Sequence, residues 1–371
     1  MSIIINRNIL VEALDKVSKV VTKKSANPLL SSFYIKSDDE SIQFVGSNGD
    51  VSIAYTVEVD DLQVVVEDEI CIAAPINLHS VAKKMGETIK LETDGSILKV
   101  SSEKSKFNLN GIDGEEYPRI MFSPTGVKPT ISLDKADLKY ITRKTTYAAS
   151  ANETRPVLQG VHFHLNGRVE VNCTDSHRLA RIIREGSATE ELQSVVPAKS
   201  LVMVDRIMDD DATIDIFFDD HSVIFQSERA TVVSRLIDGN YPDVGRLIPD
   251  VDSFQTKIVL PTQQIIQSLD LVSVASNNTE HKIVKMVVQE DGMIHLFVKD
   301  EVTKAEDTFQ SDKFEGEPIT LSFSTQYAID ALKTVDTDTV CMNFQGAMRP
   351  FTISPTNDAS ELQLVLPVRT A

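Results

Sequence analysis

Hydrophobic positions along the chain alternate between two spacings. Leu10, Leu14, Val17 and Val21 recur every three or four residues, the stripe of an amphipathic helix. Asp134 stands where an N-cap belongs, which predicts a helix over about Lys135 to Ala149. Pro261 is placed to open a third helix, with Ile265, Ile266, Leu269 and Val272 as its apolar face. Three shorter helices are expected near 76–85, 199–208 and 326–335. Between them the spacing drops to two, as in Ile89-Lys90-Leu91-Glu92, Ser96-Ile97-Leu98-Lys99-Val100, Ala212-Thr213-Ile214-Asp215-Ile216 and Met293-Ile294-His295-Leu296-Phe297. Two helices among many short strands, three times over, predict an α+β fold with mostly antiparallel sheets.

The pattern also repeats residue by residue. Ile112-Asp113-Gly114-Glu115-Glu116-Tyr117-Pro118 returns as Ile237-Asp238-Gly239-Asn240-Tyr241-Pro242, and a related apolar-proline step, Leu366-Pro367, follows a third of the chain later. Ala74-Pro75-Ile76-Asn77-Leu78 leads into a helix as Val196-Pro197-Ala198-Lys199-Ser200-Leu201 does. Solenoid units run only about 20–50 residues, whereas this period is that of a whole domain. The expected organisation is three tandem copies, 1–126, 127–251 and 252–371.

Composition changes this picture at one point. The 371 residues are 42% hydrophobic, sufficient for ordinary cores. No apolar run approaches the roughly 20 residues of a membrane span, and the first residues lack a signal-peptide pattern. Cys71, Cys173 and Cys341 are isolated from one another, which suits free thiols in a reducing, cytoplasmic setting. The net charge is −18, against a generic nucleic-acid binder. Every third of the chain is acidic overall, so any contact with DNA has to come from placement. Lys16, Lys19 and Lys23 share one helix face, as do Lys135, Lys139 and Arg143; Lys83, Lys84 and Arg206 decorate short helices. The third copy offers Gln263, Gln264, Gln267 and only Lys333, so phosphate attraction is expected to weaken there.

Candidate catalytic chemistry is thin. Asp175, Ser176 and His177 are the residue types of a triad, but neighbours in extended chain point to alternating faces. His162 and His164 lie on one strand face without an obvious third ligand. Phosphate-binding glycine loops and the H-E-x-x-H pattern are absent. No metal, cofactor or catalytic residue is therefore expected. The run Leu364-Val365-Leu366-Pro367-Val368-Arg369 reads as a buried edge strand or as part of a docking groove. Set beside Arg178 and Arg246 it makes an apolar trough with basic rims, suited to a short peptide.

Thr174-Asp175-Ser176-His177-Arg178-Leu179-Ala180, Ile237-Asp238-Gly239-Asn240-Tyr241-Pro242-Asp243 and Leu366-Pro367-Val368-Arg369 together resemble the bacterial sliding clamps, the beta subunits of DNA polymerase III. Asn27-Pro28-Leu29-Leu30 and Arg155-Pro156-Val157-Leu158 fit too, and the resemblance spans the whole chain. It implies three DNA-clamp domains, each of two helices packed on antiparallel sheets. It further implies a head-to-tail homodimer closed into a six-domain ring around double-stranded DNA, without catalysis of its own. A polymerase alpha-type subunit, the clamp loader and repair proteins would dock through short linear motifs.

The pocket carried over by motif comprises Leu158, Thr174, Ser176, His177, Arg178, Leu179, Pro242, Arg246, Leu247, Leu364, Val365, Leu366, Pro367, Val368 and Arg369, with Met348 nearby. Ser176 replaces a glycine of some members, and its small size implies little change. Lys24, Lys139, Arg143, Arg155 and Lys199 are the implied DNA contacts. Phe107 and Leu109 would meet Val274 and Ala275 of a second copy. Two other readings are a clamp-fold scaffold that binds peptides without encircling DNA, and a hydrolase built on Asp175, Ser176 and His177.

Overall fold

A computed structural model describes residues 2–369 apart from 24, 26, 61, 123–127, 186–190, 276–281 and 300–302. Six α-helices among the described residues each follow a strand, five directly and α2 after one residue. They are α1 (Arg7–Val17), α2 (Asn77–Ala82), α3 (Lys135–Thr145), α4 (Ala198–Ile207), α5 (Thr262–Ser273) and α6 (Thr325–Leu332). Asn6 shows how such a junction is made: its extended backbone ends a strand while its side chain accepts a 2.8 Å bond from Asn8 N. Ser324 caps α6 in the same way through Tyr327 N.

The apolar spacing located the helices but overran their ends. α1 stops at Val17, leaving Val21 buried beyond it. α3 ends at Thr145 and tightens into a 3-10 turn, Thr146–Ala148, short of Ala149. Thr145 and Thr146 donate their hydroxyls to the carbonyls of Ile141 and Thr142, a local alternative that accompanies the change of helix type.

The chain forms two compact units, residues 1–138 with 199–236 and residues 139–198 with 237–371. In the first, a five-stranded sheet runs in the order Val64–Val66, Ser2–Asn6, Thr88–Asp94, Ile97–Ser101, Lys106–Asn110. Its second sheet has nine strands, five from the chain before residue 114 and four from residues 131–235. They join where Val51–Glu58 pairs with Ala230–Arg235, Ile53 opposite Val232.

The second unit mirrors this scheme. Four strands from residues 160–197 and five from 256–365 make a nine-stranded sheet, joined where Arg178–Glu185 pairs with Glu361–Val365. A four-stranded sheet, Lys304–Gln310, Met293–Lys299, Ile283–Val288, Ile319–Ser324, remains. All named pairings are antiparallel. Helix α5 buries Ile265, Leu269 and Val272 against this sheet's Val284, Met286 and Leu296, while Ile266 is only partly covered.

The strand Glu361–Val365 therefore lies inside a sheet, flanked by Arg178–Glu185 and Phe351–Pro355, and not at an edge as its apolar sequence suggested. Nothing local in the sequence distinguishes a strand with one neighbour from a strand with two.

The expected basic helix faces are also partly dismantled. Lys135 is 3% exposed and binds Asp205 through both its carbonyl and its carboxylate, the latter at 2.5 Å. Lys16 donates to Ile207 O at 2.5 Å and pairs with Asp209 at 3.1 Å. Lys144, 1% exposed, is held by Thr334 O and by Glu361 at 2.8 Å. Burying an ammonium demands such partners, and the acidic residues supply them.

Candidate functional site

The site is assembled at one end of the second unit's nine-stranded sheet. The strands Arg168–Thr174 and Arg178–Glu185 form a hairpin in which Thr174 faces Leu179. Beside them Arg178 pairs with Val365 and Leu179 with Leu364, so the chain leaves the sheet here through Leu366 to Arg369. Phe351 pairs with both Val365 and Phe344, which puts the turn carrying Met348 at the same end. Gly160, preceded by the 3-10 turn Pro156–Gln159 with Leu158, starts the strand on the hairpin's other side. Two stretches far apart in sequence, 156–185 and 344–369, converge by antiparallel pairing.

The hairpin turn is not extended chain. Asp175 Oδ1 accepts bonds from His177 N at 2.8 Å and Arg178 N at 3.0 Å, and Thr174 Oγ1 accepts from Ser176 N at 3.1 Å. Ser176 consequently adopts φ = 78°. The first unit contains the same turn, where Asn48 Oδ1 accepts from Asp50 N and Val51 N while Gly49 takes φ = 95°. A glycine fits this position because of its backbone freedom. The expectation that serine's small size settles the matter is therefore corrected: the left-handed backbone, not volume, is the constraint.

Both carboxylate oxygens of Asp175 serve the turn and Arg178, its Oδ2 accepting from Arg178 Nε at 3.0 Å, while the His177 ring stacks on Tyr327 instead. That geometry removes the triad. Arg178 in turn donates to Asp330 Oδ2 at 2.6 Å and lies between two rings, 5.2 Å from the centroid of Tyr147 and 4.7 Å from that of Tyr327. Burial disfavours its charge, but Asp330 and Asp175 outweigh burial and hold its pKa above the ordinary arginine value. Tyr327 also stacks on His177, with centroids 6.0 Å apart and planes 18° apart.

Around this group opens a cleft of 620 Å³. Leu158, Ser176, His177 and Arg178 line it, together with Arg155, Asn152, Thr154 and Tyr327. Arg155, expected at DNA, thus belongs to the cleft, where its exposed guanidinium provides a cation alongside the engaged Arg178. Beneath, Leu179, Val244 and Leu364 form a buried cluster on which Tyr241, Ile248 and Leu366 pack. Thr174 and Val365 are buried as well, so these residues support the surface more than they present it. Leu247 and Met348 are about half exposed, at 48% and 52%, and Pro242 and Arg246 are exposed. Pro367 bridges to Phe323, Val368 N donates to Ser322 O at 2.7 Å, and Arg369 is exposed.

Tyr241 ties the repeat marker to the site. Its hydroxyl accepts from Thr174 N at 2.9 Å, and its ring stacks on His162 at 4.9 Å, 4° from parallel. Burial pushes the His162 pKa below the ordinary imidazole value, with His164 adding to the effect against an opposing bond from Gln193. His162 is thus part of the packing behind the cleft. Sequence reading missed Tyr147, Tyr327 and Asp330; the only local signal was the i, i+3 placement of Tyr327 and Asp330 on α6.

Among the other expected residues, Lys139 and Lys199 are exposed on α3 and α4, and Arg143 pairs with Asp336. Lys24 lies outside the described residues. Phe107 is 44% exposed on the edge strand Lys106–Asn110, whereas its neighbour Leu109 is buried. Val274 is 63% exposed and Ala275 buried, with Leu271 exposed three residues before Val274.

Antiparallel sheets backed by paired helices in a threefold repeat, with a peptide-sized cleft at a sheet end, define a clamp-type α+β protein. Family models of the DNA polymerase III beta subunit match its N-terminal domain at residues 1–121, its central domain at 132–243 and its C-terminal domain at 245–369. The chain belongs to the DNA polymerase III beta-subunit family. It is 34% identical to the beta sliding clamp of Bacillus subtilis, covering 100% of both chains. It is 33% identical to that of Streptococcus pneumoniae, covering 99% of this chain and 98% of the other. The crystal structure of the Bacillus subtilis DNA polymerase sliding clamp superposes with a TM-score of 0.95 at 32% identity, covering 100% of each chain. The Streptococcus pyogenes beta subunit gives 0.94 at 30% identity, also over 100% of each chain.

Proposed function

We propose that this protein is a non-catalytic processivity factor of the cytoplasm, a head-to-tail homodimer that closes around duplex DNA and tethers a polymerase and other proteins through the cleft at Tyr327. The observation that carries the reading is the arithmetic of the sheets. Each unit holds one nine-stranded sheet built from a five-strand and a four-strand portion of successive repeats. What remains is a five-stranded sheet ending at Lys106–Asn110 and a four-stranded sheet ending at Lys304–Gln310. Joining these edges between two copies would make the same nine-stranded unit twice more and close a ring, while removing edges that invite stray pairing. Exposed Phe107 on one side and exposed Leu271 and Val274 on the other are suitable apolar contacts.

The charge distribution supports retention by topology. Lys16, Lys135 and Lys144 are engaged by internal carboxylates or carbonyls and so are not available to phosphates, whereas Lys139 and Lys199 stand exposed. Weak phosphate contact suits a ring that moves along its track, and the acidic remainder discourages other DNA association. We place domain boundaries near 126 and 251. The polymerase alpha-type subunit, clamp loader and repair proteins are the proposed users of the cleft. No helix among the described residues is long and apolar enough to cross a membrane.

The test is retention after loading onto nicked circular DNA and onto the same DNA linearised, in salt that screens phosphate contacts. Retention on circles with loss from linear ends is expected. Equal loss from both, with loader activity verified separately, would leave a peptide-binding scaffold.

A further inference from the structure

The first unit carries a second cleft, of 390 Å³, between the strands Ser32–Ser37 and Ser41–Ser47 and the segment 114–122. Its volume falls within the about 300–1,000 Å³ of ligand sites. Its floor is a stacked pair, Tyr34 and Tyr117, with ring centroids 4.9 Å apart. Ile120 and Phe122 pack onto the cluster of Val45, Ala54, Ala73 and Tyr117, and between them Met121 is 78% exposed. An exposed methionine flanked by two half-covered apolar residues is an adaptable binding edge.

Lys36 and Arg119 stand exposed at this cleft, and neither has an ion pair with a described carboxylate; Glu115 is the opposing charge. A locally positive rim on a chain of net charge −18 is an exception to its surroundings. The comparison with the second repeat sharpens it. Tyr241 Oη is satisfied by Thr174 N, whereas Tyr117 Oη, in a residue 7% exposed, is buried without a partner. An unmatched buried hydroxyl is costly, and a carboxylate drawn in beside Arg119 by a small shift of the segment would supply its acceptor.

We propose that this cleft docks a linear peptide segment of another protein that carries acidic residues next to an apolar anchor. The anchor lies against Met121, Phe122 and the Tyr34–Tyr117 pair, and the acidic residues meet Lys36 and Arg119. The site is separate from the cleft at Tyr327 and does not rest on ring formation.

Met121 adjoins this cleft, between its lining residues Ile120 and Phe122, and Met348 lies at the other site's end of its sheet, so one experiment reads both. The full-length protein, with its nine methionines carrying 13C-labelled methyl groups, is titrated with acetyl-Asp-Asp-Leu-Phe-amide. Resonances are assigned with Met121→Leu and Met348→Leu. The expected result is a saturable Met121 shift, at least about tenfold weaker in affinity for Lys36→Glu/Arg119→Glu and for the neutral peptide acetyl-Asn-Asn-Leu-Phe-amide, with any Met348 response unchanged by the substitutions. A Met121 signal that stays still, that responds equally in the charge-reversed variant or to the neutral peptide, or that moves on concentrating the protein alone would overturn the proposal. The last outcome would assign the surface to a second copy of this chain.

Discussion

Arg178 and Asp330, 152 positions apart in the chain, are joined by a 2.6 Å bond from Nη1 to Oδ2 that fixes the guanidinium between Tyr147 and Tyr327. The arginine at the candidate site is thus an organising element whose donors are already directed at Asp330 and Asp175. The positions of His177 and Tyr327 depend on it, because both rings share the same stack.

Replacing Asp330 with Asn should release that arrangement. The pair is partly buried, so the expected loss is about 1–2 kcal/mol of stability, less than the 3–5 kcal/mol of a fully buried pair. Peptide affinity should fall about tenfold with it. Urea denaturation and fluorescence anisotropy measure the two effects; an unchanged affinity would show that Arg178 needs no anchoring.

Tyr327→Ala removes the ring shared by His177 and Arg178. Aromatic residues at the centre of an interface commonly cost 2 kcal/mol or more on truncation, about thirtyfold in affinity. Calorimetric titration of a partner peptide should show that loss while the sedimentation mass of the protein stays the same. Full retention of binding would remove Tyr327 from the site.

Ser176→Gly relieves a left-handed backbone at φ = 78°. The gain should be about 0.5–1 kcal/mol, and Ser176→Val should lose more than that, because branching at Cβ worsens the same strain. A urea midpoint that falls for the glycine variant would contradict the assignment.

His162 gives the protein an acid-sensitive point. Burial lowers its pKa in the fold, so protons bind more tightly to the unfolded chain, and stability contributed by neutral His162 is lost as pH falls below the ordinary imidazole value of about 6.5. His162→Phe keeps the stack on Tyr241 without titrating. Its stability relative to the wild type should therefore rise between about pH 7 and pH 5. A constant difference across that range would mean His162 does not couple to folding.

Phe107→Asp places a charge at the proposed contact between copies. Light scattering should then report the single-chain mass of 41.0 kDa, against the dimer mass expected of the wild type. A dimeric variant would move the contact away from the Lys106–Asn110 edge.

Much of this was legible beforehand, for identifiable reasons. The stripe of Leu10, Leu14 and Val17 and the strand-to-helix junctions are local, and the threefold repeat is visible in Tyr117-Pro118 and Tyr241-Pro242. The segment Thr174–Arg178 was read as extended chain, and neither its turn nor its left-handed serine was anticipated. Which lysines point inward was hidden. Lys135 and Lys139 share a helix face in sequence terms, yet one is buried on Asp205 and the other exposed.

The periodicities, the repeated domain, the acidic balance and the motif residues were legible in the chain alone, because each is a matter of residue order or composition and needs no knowledge of which segments pack together. Tertiary structure alone decided that Glu361–Val365 is an inner strand, that Arg155 joins the cleft and that Asp330 reaches Arg178. Those relations arise when sheets pair strands from distant parts of the chain, and local spacing carries no information about which distant partner will arrive.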